Sequence, residues 1–231
     1  MKPTGARARR IAARQGMGPP PMSRGTPLGA RFAPLSDTDV ERIHRAALEI
    51  LSTIGMASPT RAARDLALAA GCGETATGRL TFPPALIEDM LAVAARSFTC
   101  NGRDPALDFE ARNDKVNFCT GGAAVKMLDP DTREYRPSTL ADLYDLARLA
   151  DALPNLQWFA RPVVATEIED LFALDANTVY ACAAGTRKHI ASSFCNGDHV
   201  RRIAPMLDAL AGGDGAFARR PFLTIHATTI V

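Results

Sequence analysis

The sequence predicts an α/β fold built around parallel strands. Strand-like segments begin at residues 156, 189 and 222, a repeat of 33 residues. Each of the first two is followed by an amphipathic helix of the length a crossover needs, which implies right-handed βαβ units and a parallel sheet. The first strand leads into Arg161-Pro162-Val163-Val164-Ala165-Thr166-Glu167, with no GxGxxG and no GxxxxGK[ST]. A doubly wound nucleotide-binding sheet wants such a glycine turn, so a TIM (β/α)8 barrel is the better reading. The pattern reaches only three strands by Ile230-Val231, against eight in a closed barrel. The expectation is therefore an incomplete barrel, the N-terminal piece of something larger, with a helical and small β-hairpin extension in front.

The elements follow in order. Residues 1–35 hold six prolines, five glycines and few apolar side chains, and read as a disordered basic tail. Ser36 caps a first helix, with Asp39 at its third position; Val40, Ile43, Ala47, Ile50, Leu51 and Ile54 recur at helical spacing until Gly55. His44 sits at the edge of that stripe, as expected of a packed or half-exposed side chain. A second helix starts at Ser58-Pro59 and ends near Gly71; a third runs from Pro84 to Arg96. Between 97 and 137 the period changes to two. Leu107 to Glu110 and Lys115 to Phe118 flank one turn, and Ala124 to Leu128 and Arg133 to Tyr135 flank Asp129-Pro130-Asp131-Thr132 as a second. Residues 36–137 are thus read as one N-terminal segment and residues 138–231 as the first βα units. In the latter, Thr139 caps a helix with Asp142 three residues on, and Leu140, Leu143, Leu146, Ala147, Ala150 and Leu153 form its inner face. A helix over 168–184 is closed by Gly185. Asp198 caps the last, which ends at Gly212-Gly213 with Pro205 inside it.

Composition narrows the function. The chain of 231 residues is 47% hydrophobic and 23% charged, with a net charge of +2. That total conceals a leader with seven basic residues and no acid, and a body of 196 residues with 20 basic and 25 acidic side chains. An acidic body argues against nucleic-acid binding. No apolar run approaches the roughly 18 residues of a membrane span. Arg9-Arg10 is followed by no secretory apolar stretch. The five cysteines form no CxxC pair, which predicts reduced thiols, a cytoplasmic location and no metal site.

Barrel chemistry sits at the C-terminal ends of strands. That rule selects Arg161 after the first strand, and Ser193, Phe194 and Asn196 after the second. Trp158 is a candidate for a cation-binding face or for core. Gly121 and Gly122 permit close backbone approach to a ligand, or make a bulge. Arg161 is suited to an anionic ligand group such as a carboxylate, or to an ion pair with Glu167 or Asp170. Asn196-Gly197 also fits a plain turn into the next helix. Cys195 is given no catalytic role.

Several segments, in order, carry a resemblance. Leu35-Ser36 through Val40-Glu41-Arg42-Ile43-His44 to Leu48-Glu49-Ile50-Leu51 is similar to the opening helix of the trimethylamine:corrinoid methyltransferase family. Phe98-Thr99-Cys100-Asn101-Gly102-Arg103-Asp104-Pro105 resembles its SFTLYGRDP-like segment, and Gly121-Gly122-Ala123 its glycine-rich hairpin. The stretch from Arg136-Pro137-Ser138-Thr139-Leu140 to Ala152-Leu153-Pro154-Asn155 is the nearest match. The resemblance implies a TIM-barrel methyltransferase. It would move a methyl group from trimethylamine, or a related methylated or quaternary amine such as glycine betaine, to the Co(I) corrinoid of a partner corrinoid protein. No cofactor is then bound directly, and any pyrrolysine position of that family falls beyond Val231. A homo-oligomer is expected at full length. The chain alone, lacking most strand ends, is expected to be inactive. The alternatives are another TIM-barrel enzyme, such as an aldolase or phosphosugar enzyme, or an inactive fragment. An aldolase needs a Schiff-base lysine at a strand end, and Lys188 lies at a strand start.

Overall fold

The computed structural model describes residues 33–112 and 114–226. The leader expected over 1–35 lies outside them as far as residue 32, as do Asn113 and the chain end at 227–231. The described residues fall into two compact units, 33–98 and 99–226.

In the first unit, helix α1 (Asp37–Thr53) starts at a capping box. Ser36 Oγ accepts from the Asp39 N–H, and the Asp39 carboxylate accepts from the Ser36 N–H, both at 3.2 Å. Gly55 ends this segment at φ +66°, where a Cβ would meet the Leu80 carbonyl. Helix α2 (Arg61–Ala69) begins later than Ser58-Pro59 suggests. Its cap is Thr60, whose Oγ1 accepts from the Ala63 N–H. Strands β1 (Gly73–Glu74) and β2 (Leu80–Thr81) pair antiparallel; two residues each are too few for a period-two signal in sequence. Helix α3 (Pro84–Val93) follows. His44 Nε2 lies 2.7 Å from Glu88 Oε1, which links α1 to α3.

Strand β3 (Ser97–Cys100) pairs with β4 (Phe109–Arg112). The partner of 107–110 is therefore not 115–118, as alternation implied. Asn117 Nδ2 donates to the Glu110 carbonyl and Lys115 Nζ to the Glu110 carboxylate, so side chains hold 115–117 against β4. Phe118 is engaged elsewhere, donating its N–H to Gln157 Oε1 and accepting from the Gln157 N–H. The second hairpin forms as expected, with β5 (Lys126–Leu128) antiparallel to β6 (Tyr135–Pro137). Asp129 Oδ1 accepts from the N–H groups of Asp131 and Thr132 at 3.0 Å, which holds the turn closed.

From there strands and helices alternate: α4 (Leu140–Ala152), β7 (Trp158–Ala160), α5 (Leu171–Gly185), β8 (His189–Ser192), α6 (Gly197–Ala211), the short α7 (Ala216–Arg219) and β9 (Leu223–Ile225). Thr139 and Asp142 make the capping box of α4. The cap of α6 is Asn196, not Asp198: Asn196 Oδ1 accepts from the Asp198 N–H at 2.9 Å. Pro205 lies inside α6. Gly185 is the last residue of α5, not a left-handed stop. An added Cβ there would meet Ala147 Cβ at 2.5 Å and the Tyr144 carbonyl at 2.8 Å, so glycine lets α4 and α5 approach closely.

The parallel sheet runs β7-β8-β9. Phe159, Ile190 and Leu223 stand in register across it and join Leu143, Ala147, Val179, Cys182, Ile203 and Leu207 in the core. Alternation places Ala160, Ala191 and Thr224 in the next row, on the opposite face. Cys119 bridges Trp158 and Ala124 bridges Val163, both in the parallel sense, so residues 118–124 extend the sheet beyond β7. Among the described residues the sheet is open, with no closed barrel. Lys188, at the start of β8, donates its Nζ to the carbonyls of Ala150 and Leu153 at 2.6 Å, and so caps the end of α4.

Arg136 joins the hairpin to α4, donating to Asp129 at 2.9 Å and to both oxygens of Asp142 at 2.7 and 2.8 Å. Arg136, aided by the Thr132 and Asp131 N–H groups, lowers the Asp129 carboxyl to about 2. Asp142 is also held well below the ordinary range, chiefly by Arg136. Depressed carboxylates stabilise the fold above their unfolded pKa, and that stability is lost as pH falls through the folded value. The melting temperature should drop between about pH 4 and pH 2. Followed by circular dichroism, that drop should be shallower in Arg136→Met.

Candidate active site

Arg161, Ser193 and His226 each stand immediately after a parallel strand, which brings them to one end of the sheet. With Trp158, Ala160, Ala191, Ser192 and the 119–123 turn they line a cleft of about 250 Å³. Its floor is the sheet face opposite the core, where Ala160 and Ala191 are small enough to leave space. Its wall is the glycine turn. Gly122 and Ala123 both have positive φ, +132° and +65°, and Thr120 Oγ1 donates to the Ala160 carbonyl. The Ala124 N–H donates to the Pro162 carbonyl at 2.9 Å, so the turn is tied to the first strand at both ends.

Arg161 is half-buried, and its Nη2 donates to Ser193 Oγ at 2.9 Å. No carboxylate pairs with it among the described residues. Glu167 instead accepts from the Leu140 N–H at the start of α4, and Asp170 caps α5. The Trp158 and His226 rings meet edge-on at 6.2 Å. Ser138, fully buried, donates to the carbonyls of Val164 and Ala124, while Thr166 bonds back to Ser138; this locks the loop that follows Arg161.

Of the residues singled out in sequence, Gly121, Gly122, Trp158, Arg161 and Ser193 converge on this cleft. Phe194 and Asn196 do not line it. Phe194 packs partly buried against the core, and Asn196 is the α6 cap. Sequence reading passed over His226, which lies one residue past β9, the strand-end position that was examined only for the first two strands. Thr120 falls between the two segments read as hairpins and carries no signal of its own in sequence.

Behind Ser193 the loop is anchored by Asp175 of α5. Its Oδ2 accepts from the Cys195 N–H at 2.9 Å and from His199 Nδ1 at 2.7 Å. Asp175 Oδ1 is buried without a partner among the described residues. Burial, and then the Asp175 carboxylate, push the Cys195 thiol up, which keeps it protonated and unsuited to nucleophilic attack. The buried His189 bridges the Asn101 carbonyl and Thr224 Oγ1 at 2.9 and 2.7 Å. A carbonyl only accepts, so Nδ1 carries the proton and Nε2 accepts from the hydroxyl. Both nitrogens are engaged, and burial lowers the pKa; His189 is structural. Among the described residues, no group of three or more His, Cys, Asp or Glu is placed to hold a metal ion, and no helix is long and apolar enough to cross a membrane.

A larger cavity of about 350 Å³ lies at the other end of the strands, lined by Asp108, Glu110, Lys115, Asp151, Arg187 and Lys188 among others. Its charges are already matched: Lys115 with Glu110, Arg187 with Asp151, and Lys188 with two helix carbonyls. The occupied Lys188 Nζ also speaks against a Schiff-base enzyme.

The family model described as trimethylamine methyltransferase (MTTB) matches residues 4–229. Trimethylamine methyltransferase MttB of Desulfitobacterium hafniense is 27% identical over 201 residues, covering 86% of this chain and 40% of its own. MttB1 of Methanosarcina mazei is 26% identical over 196 residues, with 83% and 40% covered. MttB of Methanosarcina barkeri is 28% identical over 186 residues, with 79% and 38% covered. The chain spans about 40% of the length of the curated relatives it matches.

Asp175→Ala would leave the Cys195 N–H and His199 without their acceptor. The cost should be about 3 kcal/mol, read as a fall in melting temperature of about 6–12 °C for a chain of this size.

Proposed function

Because the chain belongs to the trimethylamine methyltransferase family, we propose that it supplies the substrate cleft of a barrel enzyme. That enzyme moves a methyl group from trimethylamine, or a related methylated amine, to the Co(I) corrinoid of a partner corrinoid protein. The observation carrying this reading is the convergence of Gly121, Gly122, Trp158, Arg161 and Ser193 at the C-terminal end of a parallel sheet. The strand order supports the barrel: each strand neighbours its successor, with no reversal of the kind a doubly wound sheet makes. Residues 138–226 then contribute βα units, residues 118–124 add a strand beside β7, and the rest of 36–137 precedes the barrel.

The residues present fit a corrinoid that stays with its partner. Arg161, Ser193 and the exposed 121–123 backbone turn would offer polar contacts to a corrinoid presented by its partner protein. When bound, the corrinoid supplies a strongly nucleophilic Co(I) centre. The protein's share of the work is orientation and exclusion of water. Trp158 and His226 present aromatic surface to the methylated nitrogen, a contact worth about 0.5–2 kcal/mol for a cation. Arg161, steadied by Ser193, fixes the end of the cleft next to them. A substrate that enters as protonated trimethylammonium or as a quaternary ammonium gives up its methyl group to Co(I) and departs as a neutral amine, so no protein acid is needed. Cytoplasmic location and a homo-oligomeric assembly belong to the same proposal.

The test joins this chain to the C-terminal remainder of the Desulfitobacterium hafniense relative and supplies reduced corrinoid protein with isotope-labelled trimethylamine. Label should move to the corrinoid protein. Trp158→Ala should slow the transfer about fivefold, the loss of roughly 1 kcal/mol. A folded hybrid that moves no label would contradict the proposal.

A further inference from the structure

The charge of the cleft does not match an amine on its own. Among the described residues, Arg161 is the one Asp, Glu, Lys or Arg side chain that lines the cleft, so a cation stands in it without a matching anion. A methylated ammonium entering there meets a like charge in a partly desolvated space, which is unfavourable unless an anion accompanies it.

Arg161 differs from the other half-buried arginines in meeting neither a carbonyl nor a carboxylate among the described residues. Arg79 donates to the Ile54 and Gly55 carbonyls, Arg103 to the Ala183 carbonyl, and Arg136 to two carboxylates. Arg161 donates only through Nη2, to a serine hydroxyl. Its remaining N–H donors meet no acceptor among the described residues. The wall of the cleft repeats this pattern. The backbone N–H groups of Gly121, Gly122 and Ala123 make no hydrogen bond to the described residues, although the N–H that follows, on Ala124, is bonded to Pro162. Open N–H donors stand on both sides of one small space, and guanidinium geometry favours a planar, two-oxygen acceptor.

We propose that Arg161, Ser193 and the 121–123 turn form an oxyanion subsite in this cleft, taking one carboxylate or phosphodiester group. The inference rests on the cleft being where the methylated amine and the corrinoid meet. Two sources fit the chemistry: a carboxylate carried on the methylated amine itself, or the phosphodiester of a corrinoid nucleotide tail. Either anion neutralises Arg161 and removes the repulsion that the amine would otherwise meet. Ser193 Oγ, receiving the Arg161 N–H, keeps its own proton free to donate to the same oxyanion.

The chain's single tryptophan, Trp158, lines the cleft and reports on it. Its fluorescence is followed in the 231-residue chain during titration with sodium acetate and with dimethyl phosphate at constant ionic strength, with tetramethylammonium chloride as a control. At least one of the two anions should give a saturable change. Tighter acetate binding assigns the substrate carboxylate, and tighter dimethyl phosphate binding assigns the corrinoid phosphodiester. Arg161→Gln should weaken the preferred anion about tenfold or more, and Ser193→Ala about threefold. Arg161→Lys should fall between wild type and Arg161→Gln, since it keeps the charge and loses the fork. Circular dichroism checks that each variant is folded. No saturable response to either anion overturns the subsite, as does a response undiminished in folded Arg161→Gln. Should that variant unfold, unchanged affinity in both Arg161→Lys and Ser193→Ala overturns it instead. Methyl transfer by the hybrid without anion binding removes the subsite and leaves the function; anion binding without methyl transfer removes the function alone.

Discussion

The row of Phe159, Ile190 and Leu223 sets where everything else in the second unit goes. These three side chains are aligned by the parallel register and sealed under α4, α5 and α6. Alternation then leaves no freedom: Ala160, Ala191 and Thr224 must face the other way. One face of the sheet is committed to burial, worth about 1.5–3 kcal/mol for each large side chain. The other is left to small and polar residues. The cleft is the consequence. A one-residue slip would drive Ala160 and Ala191 into the core and push Phe159 and Ile190 into the cleft.

Around that register, the loops at the C-terminal strand ends are each pinned by a buried polar group. Ser138 holds the loop after β7 through the Val164 and Ala124 carbonyls and its own carbonyl to Thr166. Asp175 holds the loop after β8 through the Cys195 N–H and His199. The Ala124–Pro162 bond holds the glycine turn. Arg161 and Ser193 thus meet across loops fixed at their roots, which is what a site built for orientation requires. The opposite end of the sheet is arranged for closure. Lys188 caps α4, Arg187 is matched by Asp104 and Asp151, and His189 bridges Asn101 to Thr224.

Local signals in the sequence read well. The capping boxes at Ser36 and Thr139, the Asp129 turn and the strands near 158, 189 and 223 all follow from side-chain chemistry acting over three or four residues. Misreadings arose where a distant partner decides. Lys115 to Phe118 alternates like a strand, yet Phe118 pairs with Gln157, 39 residues away. Gly185 looks like a helix stop, yet serves helix contact with Ala147. In the cleft, Gly121, Gly122, Trp158, Arg161 and Ser193 were accessible from the rule that barrel sites lie at strand C-termini. Phe194 and Asn196 satisfy the same rule and fall elsewhere, because Phe194 turns onto the core and Asn196 caps α6. His226 and Thr120 required knowing where β9 ends and what 118–124 pairs with.

The central claim is that the methylated amine sits at the C-terminal end of the parallel sheet and not in the larger cavity at its N-terminal end. The most direct measurement is an NMR titration of the isotope-labelled chain with trimethylamine and with glycine betaine. Shift changes are predicted at Gly121, Gly122, the Trp158 indole, Arg161, Ser193 and His226. Changes clustered instead at Lys115, Asp151 and Lys188, with the Trp158 indole unmoved, would contradict the account.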